Sequence, residues 1–322
     1  MSMIEQAAKR LEELRKAGME LPEVTPAVAD AARSNQSPTP EAVIRALEAQ
    51  ETQSPSRSLF QRQPGEKAVG RTSALRVAPR YAEIDLEQLA ARGFITPGAP
   101  HSQLADEFRV VKRPVIRNAL RKDGVTVRNG NLVMVTSSLP SEGKTFTAVN
   151  LAMSVAMEFD HTVLLIDGDV AHPMLPTLLN VPSEPGLLDL LTRDDLDVAD
   201  ALVRTNVEKL TVLPAGSRHR RATELLASEQ MVNLLLELAL RYSDRIIIFD
   251  SPPLLATTEA RVLATHMGQI VMVVAADTTT QHAVSQALST IESCEIVLMM
   301  LNKARKTDVG SYYGYYTDDV EA

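Results

Sequence analysis

From about residue 101 the apolar positions of this 322-residue chain come in short unbroken runs rather than in alternation. The runs are NLVMVTS (131–137), TVLLID (162–167), KLTVLPAG (209–216), RIIIFD (245–250), QIVMVVAAD (269–277) and EIVLMMLN (295–302). Between them, 145–158, 219–241 and 280–292 read as helices. A strand without polar positions needs cover on both faces. The pattern therefore predicts an α/β domain, a doubly wound and mostly parallel sheet with helices on both sides. In such a sheet a ligand sits beyond the carboxyl ends of the strands. The polar motifs of this chain fall at those ends.

The first hundred residues have a different texture. Residues 3–17 place Ile4, Ala7, Ala8, Leu11 and Leu14 on one helical stripe that stops near Gly18. That stripe is too short to persist alone in water, so it reads either as a docking helix or as an ordinary surface helix. A second short helix is expected over 41–50. Residues 53–80 are rich in Gln, Ser, Pro and Gly and set six basic residues against Glu66, the composition of a flexible basic linker. The expected organisation is an N-terminal extension over 1–100, a nucleotide-binding domain over 101–310 and a tail over 311–322.

Composition narrows the class only slightly. Hydrophobic residues make up 45%, enough for a packed core, and the net charge of −8 argues against nucleic acid as a partner. One cysteine, Cys294, excludes an internal disulfide and suits a reducing compartment. No run of about 18 apolar residues is present, and the N-terminus lacks the apolar core of a signal peptide, so a cytoplasmic location is expected.

Three motifs carry chemistry. Ser138 to Thr145, SLPSEGKT, follows a strand and opens a helix, as a phosphate loop does, with Ser138 where the pattern opens on Gly. Backbone N–H groups from Ser141, Glu142 and Gly143 through Lys144, Thr145 and Phe146 would cradle phosphates. Lys144 would reach the β and γ groups, and the Thr145 hydroxyl would meet Mg²⁺. Asp167 and Asp169 close the next strand; two carboxylates so near repel unless a cation or a proton separates them. One of them could accept a proton from an incoming hydroxyl, or Asp167 could cap the next helix. Asp250 closes IIIFD and is placed to reach the same metal. A fourth feature is separate: four of six tyrosines, Tyr312, Tyr313, Tyr315 and Tyr316, crowd beside Asp318 and Asp319. They read as phenols presented to a partner, or as a tail docked on its own domain.

The phosphate loop, the Asp-x-Asp strand end, IIIFDSPP and the tyrosine cluster, in that order, resemble the bacterial tyrosine kinases of polysaccharide export over roughly residues 101–322. The long N-terminal region resembles the exosortase-associated branch, in which the kinase is separate from its membrane partner. The resemblance implies ATP and Mg²⁺ as cofactors and a P-loop NTPase fold. It implies Lys144, Asp167 and Asp169 as catalytic, Thr145, Asp169 and Asp250 as metal-holding, and the four tail tyrosines as phosphoacceptors modified in trans. It further implies a homo-oligomeric ring joined through Asp106, Arg109 and Lys112, with Lys112 standing where the family has Arg. Expected partners are an inner-membrane chain-length-determinant protein, which would recruit the chain to the plasma membrane, and a cognate tyrosine phosphatase. The expected role is regulation of exopolysaccharide polymerisation and export. A partition-type ATPase, switching by dimerisation over ATP, is the alternative, and it would not need the tyrosines. One departure stands out: Ala171 replaces the family's Arg, with His172 and Pro173 after it.

Overall fold

The structure, a computed structural model, describes residues 80–98, 102–120, 127–242 and 244–304. Every described residue lies in the unit Ser73–Ala322. The helices expected at 3–17 and 41–50, most of the basic linker and the tyrosine cluster all lie outside the described residues.

Among the described residues, the strands are β1 (Arg80–Ala82), β2 (Leu132–Ser137), β3 (Thr162–Asp167), β4 (Val203–Thr205), β5 (Leu210–Leu213), β6 (Arg245–Asp250), β7 (Gln269–Ala275) and β8 (Val297–Asn302). They form one sheet in the order β1-β4-β5-β3-β6-β2-β7-β8. Every pairing is parallel except β4 with β5. The interior strand β2, between β6 and β7, is buried at all six positions. Its side chains alternate between two cores, Leu132 and Met134 entering one and Val133 and Val135 the other. That double cover is why the strand reads as an apolar run and not as an alternating one.

The helices are α1 (Leu86–Ala91), α2 (Gln103–Ala119), α3 (Lys144–Ala156), α4 (Leu175–Leu179), α5 (Leu187–Leu190), α6 (Val198–Ala201), α7 (Ala222–Leu226), α8 (Glu229–Arg241), α9 (Thr258–Ala264) and α10 (Gln281–Leu288). The first four cover one face, with Phe108, Val115, Leu151 and Leu175 in its core. The other six cover the opposite face, through residues such as Leu226, Leu235, Leu263 and Ala287. This is the doubly wound P-loop NTPase arrangement.

Two expectations need correction. Residues 80–98, assigned to the extension, carry β1 and α1 of the folded unit. β1 is only three residues long, and Arg80 anchors it by donating to the carbonyl oxygens of Glu184 (2.6 Å), Pro185 (2.8 Å) and Ala201 (3.0 Å). So short a strand leaves no readable pattern. The single helix expected over 219–241 is two, because Ser228 ends α7 and caps α8. Its hydroxyl donates to Leu225 O and accepts from Met231 N, interactions that favour a helix boundary over continuation.

Candidate active site

The phosphate loop leaves the end of β2 and enters α3, with Gly143 at the helix N-cap. Gly143 has φ +99°, and a Cβ there would lie 2.1 Å from Asn302 Nδ2. The dihedral favours glycine, and a Cβ there would push the Asn302 amide off Glu142 O. The loop is tied to its neighbours through Glu142, whose side chain turns away from the phosphate cradle and is buried. Its Oε2 accepts from Leu139 N at 2.6 Å, and its Oε1 accepts from Ala275 N at 3.4 Å and from the Thr279 hydroxyl. From the far side, Asn302 Nδ2 donates to Glu142 O (2.8 Å) and Lys303 Nζ donates to Ser141 O (2.7 Å). The ends of β7 and β8 thus hold the loop open. Sequence reading missed Thr279, Asn302 and Lys303, although Asn302 carried a signal: it is the polar residue that closes an apolar run at the carboxyl edge.

The structure brings Lys144, Asp167, Asp169 and Asp250 together. Register places Asp167 directly beside Asp250 on the adjacent strand, and Gly168 N donates to Asp250 O at 2.7 Å. Lys144 Nζ lies 3.2 Å from Asp169 Oδ2, bridging from α3 to the loop after β3. Asp169 also accepts from His172 N at 3.2 Å through Oδ1. Asp167 Oδ2 accepts from Leu175 N at 3.0 Å, while its Oδ1 and both oxygens of Asp250 are buried without a hydrogen-bond partner. Burial, reinforced by Asp250 and Asp169, pushes Asp167 up to about 8. Burial also lifts Asp250 to about 7, with Asp169 adding to the rise. Lys144 and the nearby Thr145 hydroxyl, outside good hydrogen-bond geometry, pull it down.

Orphaned carboxylate oxygens beside a lysine are what a hard divalent cation needs from its protein side. Among the described residues no three His, Cys, Asp or Glu side chains are grouped to hold a metal unaided. Mg²⁺ keeps several waters and binds through one or two carboxylates together with substrate phosphates. Asp250 fits that role through its two orphaned oxygens, with the Thr145 hydroxyl nearby; Asp169, expected as a further holder, has its oxygens on Lys144 and His172 N and would share them with the cation. Phe146 does not turn its ring to the ligand. The ring packs 5.0 Å from that of Phe94, so only the Phe146 backbone is left for phosphate.

The residues expected to join subunits separate into two kinds. Asp106 and Arg109 are exposed on α2 and form an ion pair with each other. Lys112 faces inward and is 4% exposed, donating to Ser154 O at 2.7 Å and pairing with Glu158 at 2.8 Å. It closes α2 onto α3 and is not offered to a neighbour. The reason is helical: Lys112 shares a buried stripe with Phe108, Val115 and Ile116. Ala171 and His172 are exposed, and His172 meets the carboxylate cluster only through its backbone N–H on Asp169.

A phosphate loop on a doubly wound sheet with strand-end carboxylates defines a P-loop ATPase-type site, and residues 140–303 match the model of the AAA domain family. The chain belongs to that family. Within it, the chain is similar to the bacterial tyrosine kinases. It is 29% identical to tyrosine-protein kinase YwqD of Bacillus subtilis over 70% of this chain and 91% of that one. It is 32% identical to tyrosine-protein kinase Wzc of Salmonella typhimurium over 58% of this chain, which spans only 26% of Wzc. Among solved structures, the kinase domain of Escherichia coli tyrosine kinase ETK superposes with a TM-score of 0.53 at 26% identity, covering 71% of this chain and 98% of that domain. The chimeric protein CapA2B2 shares the fold, with a TM-score of 0.54 at 24% identity over 69% of this chain and 100% of that one. Among the described residues no helix is long and apolar enough to cross a membrane.

Proposed function

We propose that the chain transfers the γ-phosphoryl group of ATP to the tyrosines at 312, 313, 315 and 316 of a second copy of itself, within an oligomer that serves exopolysaccharide assembly at the membrane. The observation that carries this reading is the convergence of Lys144 with Asp167, Asp169 and Asp250 on a phosphate loop, in a chain similar to named tyrosine kinases. In the reaction the bond between the γ-phosphorus and the oxygen bridging to ADP breaks, and a bond from the phenolic oxygen to that phosphorus forms. The phenolic proton needs an acceptor. Asp167 in its ionised form supplies one through Oδ1, which is buried at the strand end without another partner. Lys144 follows the negative charge on the transferring group, and the backbone from Ser141 to Thr145 fixes the polyphosphate in line. Thr145, Asp169 and Asp250 would hold Mg²⁺, and the charge neutralisation it would supply falls on the phosphate oxygens. Water must be kept from the γ-phosphate, and the depth of Asp167 and Asp250 at the floor of the site favours that.

A membrane-bound chain-length determinant and a tyrosine phosphatase are the partners this reading calls for. The test is intact-mass measurement after incubation with ATP and Mg²⁺, native chain against Lys144→Met. The native chain should gain up to four phosphates on its terminal segment and the variant none. Near-native phosphate uptake by Lys144→Met would overturn the site assignment.

A further inference from the structure

The loop after β5 carries Arg218, His219, Arg220 and Arg221 in succession, all of them exposed. β5 is parallel to β3, with Leu213 in register with Ile166, so the loop leaves the sheet at the edge where Asp167 and Asp169 lie, one strand away. Both its ends are fixed. On one side Pro214 O and Ala215 O accept from Leu187 N (2.8 Å) and Leu188 N (2.9 Å), and Asp189 accepts from Ser217 N (3.1 Å). On the other side the Thr223 hydroxyl donates to Glu259 at 2.6 Å. Among the described residues none of these three guanidinium groups forms an ion pair. Three like charges within four residues repel one another, and an acidic chain has carboxylates enough to neutralise them. This loop uses none.

We infer that the Arg218–Arg221 loop is the docking surface for the acidic, tyrosine-bearing segment of a second copy of this chain. Residues 311–322 contain the four clustered tyrosines with Asp318, Asp319 and Glu321, and no lysine or arginine. Opposite charge selects this partner. Guanidinium forks match both carboxylate and phosphate in bidentate geometry, and each phosphate adds roughly −1.5 to −2 charges. Docking therefore tightens as phosphates accumulate, holding a partly modified segment at the site for its next transfer. The inference rests on those tyrosines being the phosphoacceptors.

The test uses the full chain with Tyr312, Tyr313, Tyr315 and Tyr316 changed to Phe as the enzyme, and a peptide of residues 311–322 as the acceptor. Replacing Arg218, Arg220 and Arg221 by Ser should raise the KM for the peptide about 5- to 10-fold, the sum of three exposed charge contacts. The kcat and the KM for ATP should stay unchanged. A peptide with Asp318→Asn, Asp319→Asn and Glu321→Gln should show a much smaller difference between the two enzymes. Fluorescence anisotropy of the labelled, fully phosphorylated peptide reads docking apart from transfer, and its affinity should fall by a similar or larger factor in the variant. If the peptide is never phosphorylated but its binding still depends on the arginines, the acceptor assignment fails and the docking surface stands. Equal peptide affinity for the two enzymes overturns the docking surface. So does arginine-dependent sedimentation with phosphatidylserine vesicles accompanied by unchanged peptide affinity, which would assign the loop to lipid.

Discussion

Asp250 is the residue at which charge and burial conflict most openly. Its pKa lies above that of the unfolded chain, where a carboxyl titrates near 4. The folded state therefore holds a proton that the unfolded state releases, and stability falls as pH rises from about 4 towards 7. Asp250→Asn removes this penalty. In chain free of nucleotide and divalent cation, the stabilisation by the variant should grow by roughly 1–3 kcal/mol between pH 5 and pH 7. Denaturant unfolding at the two pH values reads the difference, and a pH-independent effect would remove the titration argument. The same substitution should slow phosphoryl transfer and raise the Mg²⁺ concentration needed for it.

At the scale of elements, the phosphate loop depends on strands it does not belong to. Gly143→Ala sets a methyl against Asn302 and forces an alanine to φ +99°, so it should cost about 1–3 kcal/mol. It should also weaken binding of a fluorescent ATP analogue by at least about tenfold. Retained nucleotide affinity would show that β8 can withdraw at no cost. The sequence made the six long strands and the order of motifs legible, because burial on both faces and glycine at a phosphate loop leave strong local marks. β1 and β4 were not legible. Three residues carry no period, and both lie at one side of the sheet, where long-range contacts such as those of Arg80 decide the pairing. Glu142 was legible as part of the loop but not in its role, since its partners Ala275 and Thr279 lie more than 130 residues away. Lys112 was misread for a related reason: spacing along α2 was visible, but the side of the helix facing α3 was not.

For the whole molecule, α2 offers a way to separate folding from association. Lys112→Met removes one partner of a mostly buried pair and should lower stability by about 1–3 kcal/mol, discounted because Glu158 is partly exposed. Arg109→Ala, on the exposed side, should leave the melting temperature within a degree or two. If α2 joins subunits, Arg109→Ala should also reduce the mass seen by light scattering and flatten the rise of phosphorylation rate with protein concentration. An unchanged mass and rate law in Arg109→Ala would count against α2 as the subunit contact.

β6 is the strand that lies between β2 and β3, yet it is made 78 residues after β3 ends. During synthesis the phosphate loop and the Asp167 turn therefore emerge long before the strand that must separate them, and neither can settle into its final neighbourhood until residue 250 is available. Loop-closure entropy makes such distant pairings late events. A chain that stops short of residue 245 carries the phosphate-loop sequence but lacks the strand that separates the loop from the Asp167 turn.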